Sequence, residues 1–159
     1  MARRFPGVIY ALAALLLAGC GDDYPRDVDD ASAQASAHGM RVGASHDPPW
    51  VRVGPGGDVG GPEAELLQRF AAARGDRLAW VVGGHEALMG DLERGRLHAV
   101  VGGHGRASPW KSRVGWSRAL PLRAGEGAGM PERRIALPPG QSAWHLAVDR
   151  WLVAAEGAR

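Results

Sequence analysis

Pro62-Glu63-Ala64-Glu65-Leu66-Leu67-Gln68-Arg69-Phe70-Ala71-Ala72-Ala73-Arg74-Gly75, followed by Leu78-Ala79-Trp80-Val81-Val82, decides the fold. Proline suits the first position of a helix because the N–H it lacks has no partner there in any case. Glu63 and Glu65 then fall in the first turn, where unpaired N–H groups favour acids, and Arg74 with Gly75 closes the last turn. Leu66, Leu67, Phe70 and Ala71 recur at helical spacing, so this helix over 62–74 has one face to bury. Leu78 to Val82 predicts a strand directly after it.

The same alternation extends in both directions. Met40 to Ala44 predicts a short strand, and Asp47-Pro48-Pro49-Trp50 an extended loop, since each proline biases its predecessor away from helix. Trp50 to Val53, with Gly54-Pro55-Gly56-Gly57-Asp58 behind it, predicts a small hairpin. Downstream, Glu86 to Arg94 predicts a helix with Leu88, Met89 and Leu92 inward and Gly95 at its C-cap. Leu97 to Val101 predicts a buried strand, interrupted by His98 and ending in the turn Gly102-Gly103-His104-Gly105. Shorter strands are expected at Arg113 to Ser117 and Arg133 to Leu137. A closing helix is expected from Gln141 to Ala155, with Trp144, Leu146, Ala147, Val148, Trp151 and Leu152. Strands alternating with helices predict an α/β fold with a mostly parallel sheet covered on both sides, and ligands of such sheets sit beyond the carboxyl ends of the strands.

The N-terminus reads differently. Arg3 and Arg4, an apolar run from Val8 to Leu17, and small residues before Cys20 predict a signal peptide over 1–19; the run is too short to span a bilayer. Leu17-Ala18-Gly19-Cys20 resembles the lipobox of bacterial lipoproteins, and the chain has one cysteine in 159 residues. The resemblance implies lipidation at Cys20, an extracytoplasmic location in the periplasm or at the cell surface, and a membrane anchor worth about 0.8 kcal/mol per buried methylene. The leader holds two arginines and no acids, so without it the formal net charge of +2 falls to zero and nucleic acid is not expected as a partner. Residues 20–39, with Asp22, Asp23, Asp27, Asp29 and Asp30 and then alternating alanine and serine, predict a flexible tether. Residues 40–159 form one domain by length, with no disulfide to support it. The 24 glycines and 11 prolines point to frequent turns.

The order of Arg41-Val42-Gly43, Pro48-Pro49-Trp50, the helix 62–74, Leu92-Glu93-Arg94-Gly95-Arg96-Leu97-His98-Ala99-Val100-Val101-Gly102-Gly103, Pro109-Trp110 and Val114-Gly115-Trp116-Ser117 resembles the first lobe of the family 3 extracellular solute-binding proteins, the receptors of polar amino acid ABC importers. Ile135 to Trp144 resembles the returning strand and last helix of that family. The resemblance implies a single lobe of a type II periplasmic-binding-protein-like fold. It implies too that the family's second lobe is missing at about 123–131. It further implies a small polar solute, amino acids included, and an ABC permease as partners, no cofactor and no metal. Trp50 matches the family's aromatic platform and Gly103 its backbone N–H donor. Trp110 stands where the family has its arginine, Gly105 where it has serine or threonine, and His98 where it has aspartate. The candidate ligand-binding set is Trp50, Gly103, Ser108, Trp110 and Lys111, with Lys111 or Arg113 as substitute cations.

Competing chemistry is weaker. His46-Asp47, His85-Glu86 and His104 lack the spacing of a metal motif, so surface histidines are the expected reading. Ser45-His46-Asp47 supplies triad residue types consecutively, yet neighbours on an extended chain point apart, and no enzyme activity is expected. The Gly102–Gly105 turn lacks the lysine and spacing of a phosphate loop. The expected function is that of a membrane-tethered solute-binding component of an ABC-type importer with weakened or lost capture. The alternatives are a non-catalytic envelope interaction module that docks through an open face carrying Trp50 and Trp110, and a decayed receptor copy.

Overall fold

Alternating side chains along the central strands build two cores on opposite faces of one sheet. In the computed structural model, which describes residues 25–104, 108–122 and 132–157, strand β1 (Met40–Ala44) turns Met40, Val42 and Ala44 to one face. On that face they meet Leu66, Leu67, Phe70 and Ala71 of helix α2 (Pro62–Arg74) and Trp144, Val148 and Leu152 of helix α4 (Ser142–Gly157). The other face carries Val100 of strand β5 (Ala99–Val101), Ala136 of β7 (Ala136–Leu137), and Leu88, Met89 and Leu92 of helix α3 (His85–Glu93). Gly43 marks the close approach of that layer, since a Cβ there would lie 3.0 Å from Leu97 and Val100 and 3.2 Å from Leu88. Each fully buried leucine or valine contributes on the order of 1.5–3 kcal/mol, so these two clusters carry most of the stability.

Strand order is β4-β1-β5-β7-β6, with β4 at Leu78–Val82 and β6 at Gly115–Trp116. β1 pairs in parallel with β4 and β5, whereas β7 is antiparallel to both β5 and β6. Four of these five strands therefore point the same way, and the sheet is mixed but mostly parallel with helices on both faces. The expected hairpin is present as β2 (Arg52–Val53) and β3 (Val59–Gly60), outside the main sheet. β6 and β7 are shorter than the strands expected over 113–117 and 133–137, although Ser117 N–H still donates to the Ile135 carbonyl and Leu120 N–H to that of Arg133.

Two expectations require correction. The stretch from Asp27 onward is not a tether, because Ala31–His38 is a helix, α1, with Ala31 and Ala35 buried against β1 and α4. Alanine is the strongest helix former and needs little space, so a segment without bulky apolar residues still docks on a core that larger residues have built. Asp47 to Trp50 is a closed turn and not an extended loop, with the N–H groups of Trp50 and Val51 both donating to the Asp47 carbonyl at 3.0 Å. The turn aims Asp47 back at the sheet end. The expected leader 1–19, Cys20 and the expected lobe junction 123–131 lie outside the described residues. Among the described residues no helix is long and apolar enough to cross a membrane.

Candidate functional site

The carboxyl ends of β1 and β5 bring together three charged side chains far apart in sequence. Asp47 comes from the turn after β1, Glu63 from the first turn of α2, and Arg133 from the segment leading into β7. Arg133 Nε donates to Glu63 Oε1 at 2.6 Å, and its Nη2 donates to Asp47 Oδ2. Two successive glycines after β5 complete the arrangement. Gly102 N–H donates to Glu63 Oε2 at 3.0 Å and Gly103 N–H to Asp47 Oδ2 at 2.7 Å. Gly102 must be glycine here: its φ is +94°, and a Cβ would lie 2.1 Å from the Ser45 carbonyl oxygen. Each carboxylate is thus bridged between a glycine N–H and the same guanidinium, a pattern of charge-assisted bonds stronger than neutral ones.

The two acids differ in environment. The Glu63 side chain is fully buried and that of Asp47 is 31% exposed. Burial pushes the Glu63 carboxyl above the ordinary range, against the opposing pull of Arg133 and the Gly102 N–H. Burial also works upward on Asp47, but the bonds from Arg133 and Gly103 outweigh it and hold its pKa below 3.8. Burial works downward on the guanidinium, yet Glu63 and Asp47 hold its pKa above the ordinary arginine value. The Trp50 ring lies 5.3 Å from the Arg133 guanidinium carbon.

Beside this cluster sits His104, with no exposed surface and neither ring nitrogen hydrogen-bonded to a described residue. Its ring lies 4.9 Å from that of His85 and 5.2 Å from Trp116, whose indole N–H likewise has no described partner. Burial first, then His85 and Arg133, push its pKa from 6.5 to about 3, with the backbone of Val100 and the Asp47 charge acting weakly the other way. His98 is buried as well, with Nδ1 accepting the Arg41 N–H at 3.0 Å. The expectation of surface histidines fails for His104, which fills space against the Trp116 ring, whereas His98 lies in the strand expected to be buried, against Trp144. Among the described residues no three His, Cys, Asp or Glu side chains could hold a metal ion.

The sequence-derived candidates fall into two groups. Trp50 and Gly103 meet at the cluster, through Arg133 and Asp47 respectively. Ser108, Trp110 and Lys111 form a separate turn, in which Ser108 Oγ accepts the Trp110 N–H at 3.2 Å and the Ser108 carbonyl accepts that of Lys111. Trp110 packs in the α3 core, donates from Nε1 to Glu86 at 3.3 Å and lies under the Arg113 guanidinium at 4.1 Å. Lys111 is exposed, and Arg113 is engaged bidentately by Glu93. Trp50 and Trp110 are both buried, so neither lies on an open apolar face; among the described residues the exposed large hydrophobics are Val28, Val82 and Val153. Sequence reasoning missed Asp47, Glu63 and Arg133 as a unit. Glu63 looked like an ordinary first-turn acid, and no local pattern ties residues 70 and 86 positions apart.

The sequence matches no protein-family model and no curated protein. Solved structures do share the fold. The arginine-bound form of domain 1 from TmArgBP, a T. maritima protein, has a TM-score of 0.65 at 21% identity, with 80% of this chain and 98% of that one covered. A Phe-to-Trp variant of the same domain gives 0.67 at 21% identity, covering 81% and 98%. An ancestral arginine-binding protein bound to glutamine gives 0.61 at 12% identity, covering 74% and 92%. This chain has the fold of a single lobe of the periplasmic-binding-protein-like kind.

Proposed function

We propose that the chain is an extracytoplasmic solute-binding component of an ABC-type importer, tethered to the membrane through Cys20, whose capture of polar amino acids is weakened. The observation that carries the reading is the cluster at the carboxyl end of β1 and β5. A guanidinium and two glycine N–H groups converge where ligands of such sheets bind, on a fold shared with proteins whose structures hold arginine or glutamine. The weakness follows from the same geometry. Asp47 and Glu63 already engage those donors, and one lobe surrounds a solute from one side only, leaving the other side of its polar groups to water.

Calorimetry of the mature chain with arginine, lysine and glutamine tests this. We expect millimolar binding of at least one of them, equivalent to about −4 kcal/mol. Saturation at micromolar ligand would remove the claim of weakened capture, and no heat at any accessible concentration would remove solute binding. Palmitate labelling that survives Cys20→Ala would remove the tether.

A further inference from the structure

Glu63 and Asp47 occupy two equivalent slots. Each accepts one glycine N–H and one arm of Arg133, yet the two slots are not equally accessible. The inner slot holds the fully buried Glu63, delivered by a helix and sealed by the core. The outer slot holds Asp47, delivered by a surface turn and open to solvent along 31% of its side chain. We propose that the outer slot is an oxyanion site for a small carboxylate, and that Asp47 is its built-in occupant.

What the donors recognise is a carboxylate oxygen, not the chain that carries it. Gly103 N–H and Arg133 Nη2 converge on the single oxygen Oδ2 of Asp47, so any carboxylate placed there receives the same two bonds. The slot is built independently of its occupant. Gly103 is fixed by β5 and by Gly102, whose N–H is held by Glu63. Arg133 is fixed at its Nε by Glu63 and lies against the Trp50 ring. Charge balance points the same way: with Asp47 present one cation faces two anions, and without it the cation keeps one partner and has one arm to give. A tethered carboxylate acts at an effective concentration that a free solute seldom reaches, on the order of millimolar or above, so Asp47 excludes competing carboxylates in the unaltered chain. This deepens the solute-binding reading and takes its biological meaning from it, since a solute's own carboxylate must displace Asp47 to enter.

Thermal unfolding in sodium acetate against sodium chloride at matched ionic strength and pH 7 tests the slot. Asp47→Ala should melt below the unaltered chain in chloride, and acetate near saturation should raise its Tm by about 3 °C or more. The unaltered chain, and Asp47→Asn, whose amide fills the slot, should melt alike in the two salts. If Asp47→Ala is unfolded in chloride, recovery of the folded signal in acetate alone is the supporting result. No acetate-specific gain in Asp47→Ala, or an equal gain in Asp47→Asn or the unaltered chain, overturns the proposal. Amino acid calorimetry on the unaltered chain bears on the solute reading alone, so the two failures are distinguishable.

Discussion

The two ends of this sheet are built on opposite rules. Where β1 and β5 begin, polar groups are matched nearly one to one. Gln141 accepts the N–H groups of Asp29 and Ala31 and donates to Asp29, and Trp144 Nε1 donates to the His98 carbonyl at 2.7 Å. Arg74 pairs with Asp76, reaches Ser32 and Ser36, and lies 5.0 Å from the Trp144 ring centre. Where the same strands end, two acids share one arginine, and buried His104 and half-buried Trp116 have buried ring nitrogens that no described residue satisfies. Buried polar groups are normally satisfied, and departures concentrate where a fold serves something other than stability. One end satisfies its polar groups internally; the other, crowded with unmatched ones, carries the candidate site.

The largest expected effect breaks the crowded end. Arg133→Met removes the charge partner of Glu63, which has no exposed surface from which to recruit water. Leaving such an acid unpaired costs about 3–5 kcal/mol, measurable as a lower urea midpoint with an unchanged slope. A loss under about 1 kcal/mol would mean that Glu63 is neutral in the folded state and that the cluster is held by packing.

Next comes the response to acid. A histidine whose folded pKa is depressed stays neutral in the folded state while the unfolded chain takes up its proton, so stability falls as pH drops below 6.5 and continues to fall until the folded pKa of about 3. Between pH 6.5 and 5 His104 should account for a loss of roughly 1.5–2 kcal/mol in urea titrations, and His104→Leu should abolish that share. Burial also lowers the His98 pKa, and it acts in the same pH direction from the other end, so the slope left in His104→Leu reports His98 less the opposing contribution of Glu63, whose pKa burial raises. Asp47 contributes in a separate window. Its pKa is held below 3.8, so its stabilisation is complete above that pH and fades only as pH falls further. A flat profile from 6.5 to 5 in the unaltered chain would show that His104 reaches solvent.

How much of this was legible in the sequence follows from the range of each interaction. Helix α2 was readable to its ends because proline, the first-turn acids and Gly75 are local signals, and its buried face follows from spacing alone. Gly102 and Gly103 were readable as a turn, but the reason glycine is needed at 102 is the Ser45 backbone on the neighbouring strand's end. The cluster was not readable, since Asp47, Glu63 and Arg133 each look like ordinary loop or cap residues until the topology joins them. His104 was misread for the same reason: its burial is supplied by His85 and Trp116, from other elements. α1 was misread because composition separates disorder from structure by hydrophobicity, and alanine packed on an existing core falls between the two.

The smallest effect tests the orderly end and that misreading together. The Asp30 side chain, at the N-cap position of α1, caps nothing, and its φ is 52°. Asp27 takes over from three residues earlier and serves two helices at once: Oδ2 accepts the Ser32 N–H of α1 at 3.0 Å, and Oδ1 accepts the Trp144 N–H of α4 at 2.8 Å. Gln141, which precedes α4, returns the arrangement by accepting the N–H groups of Asp29 and Ala31. Each helix is therefore capped by the residue leading into the other, which ties the N-terminal segment to the end of the chain. Asp27→Ala should cost about 1–2 kcal/mol in urea unfolding, the loss of a shared cap, whereas Asp30→Gly should cost nothing because glycine accepts a positive φ without strain. Equal costs for the two would mean that α1 adds nothing to the stability of the lobe, and that the segment ahead of β1 acts in solution as a tether after all.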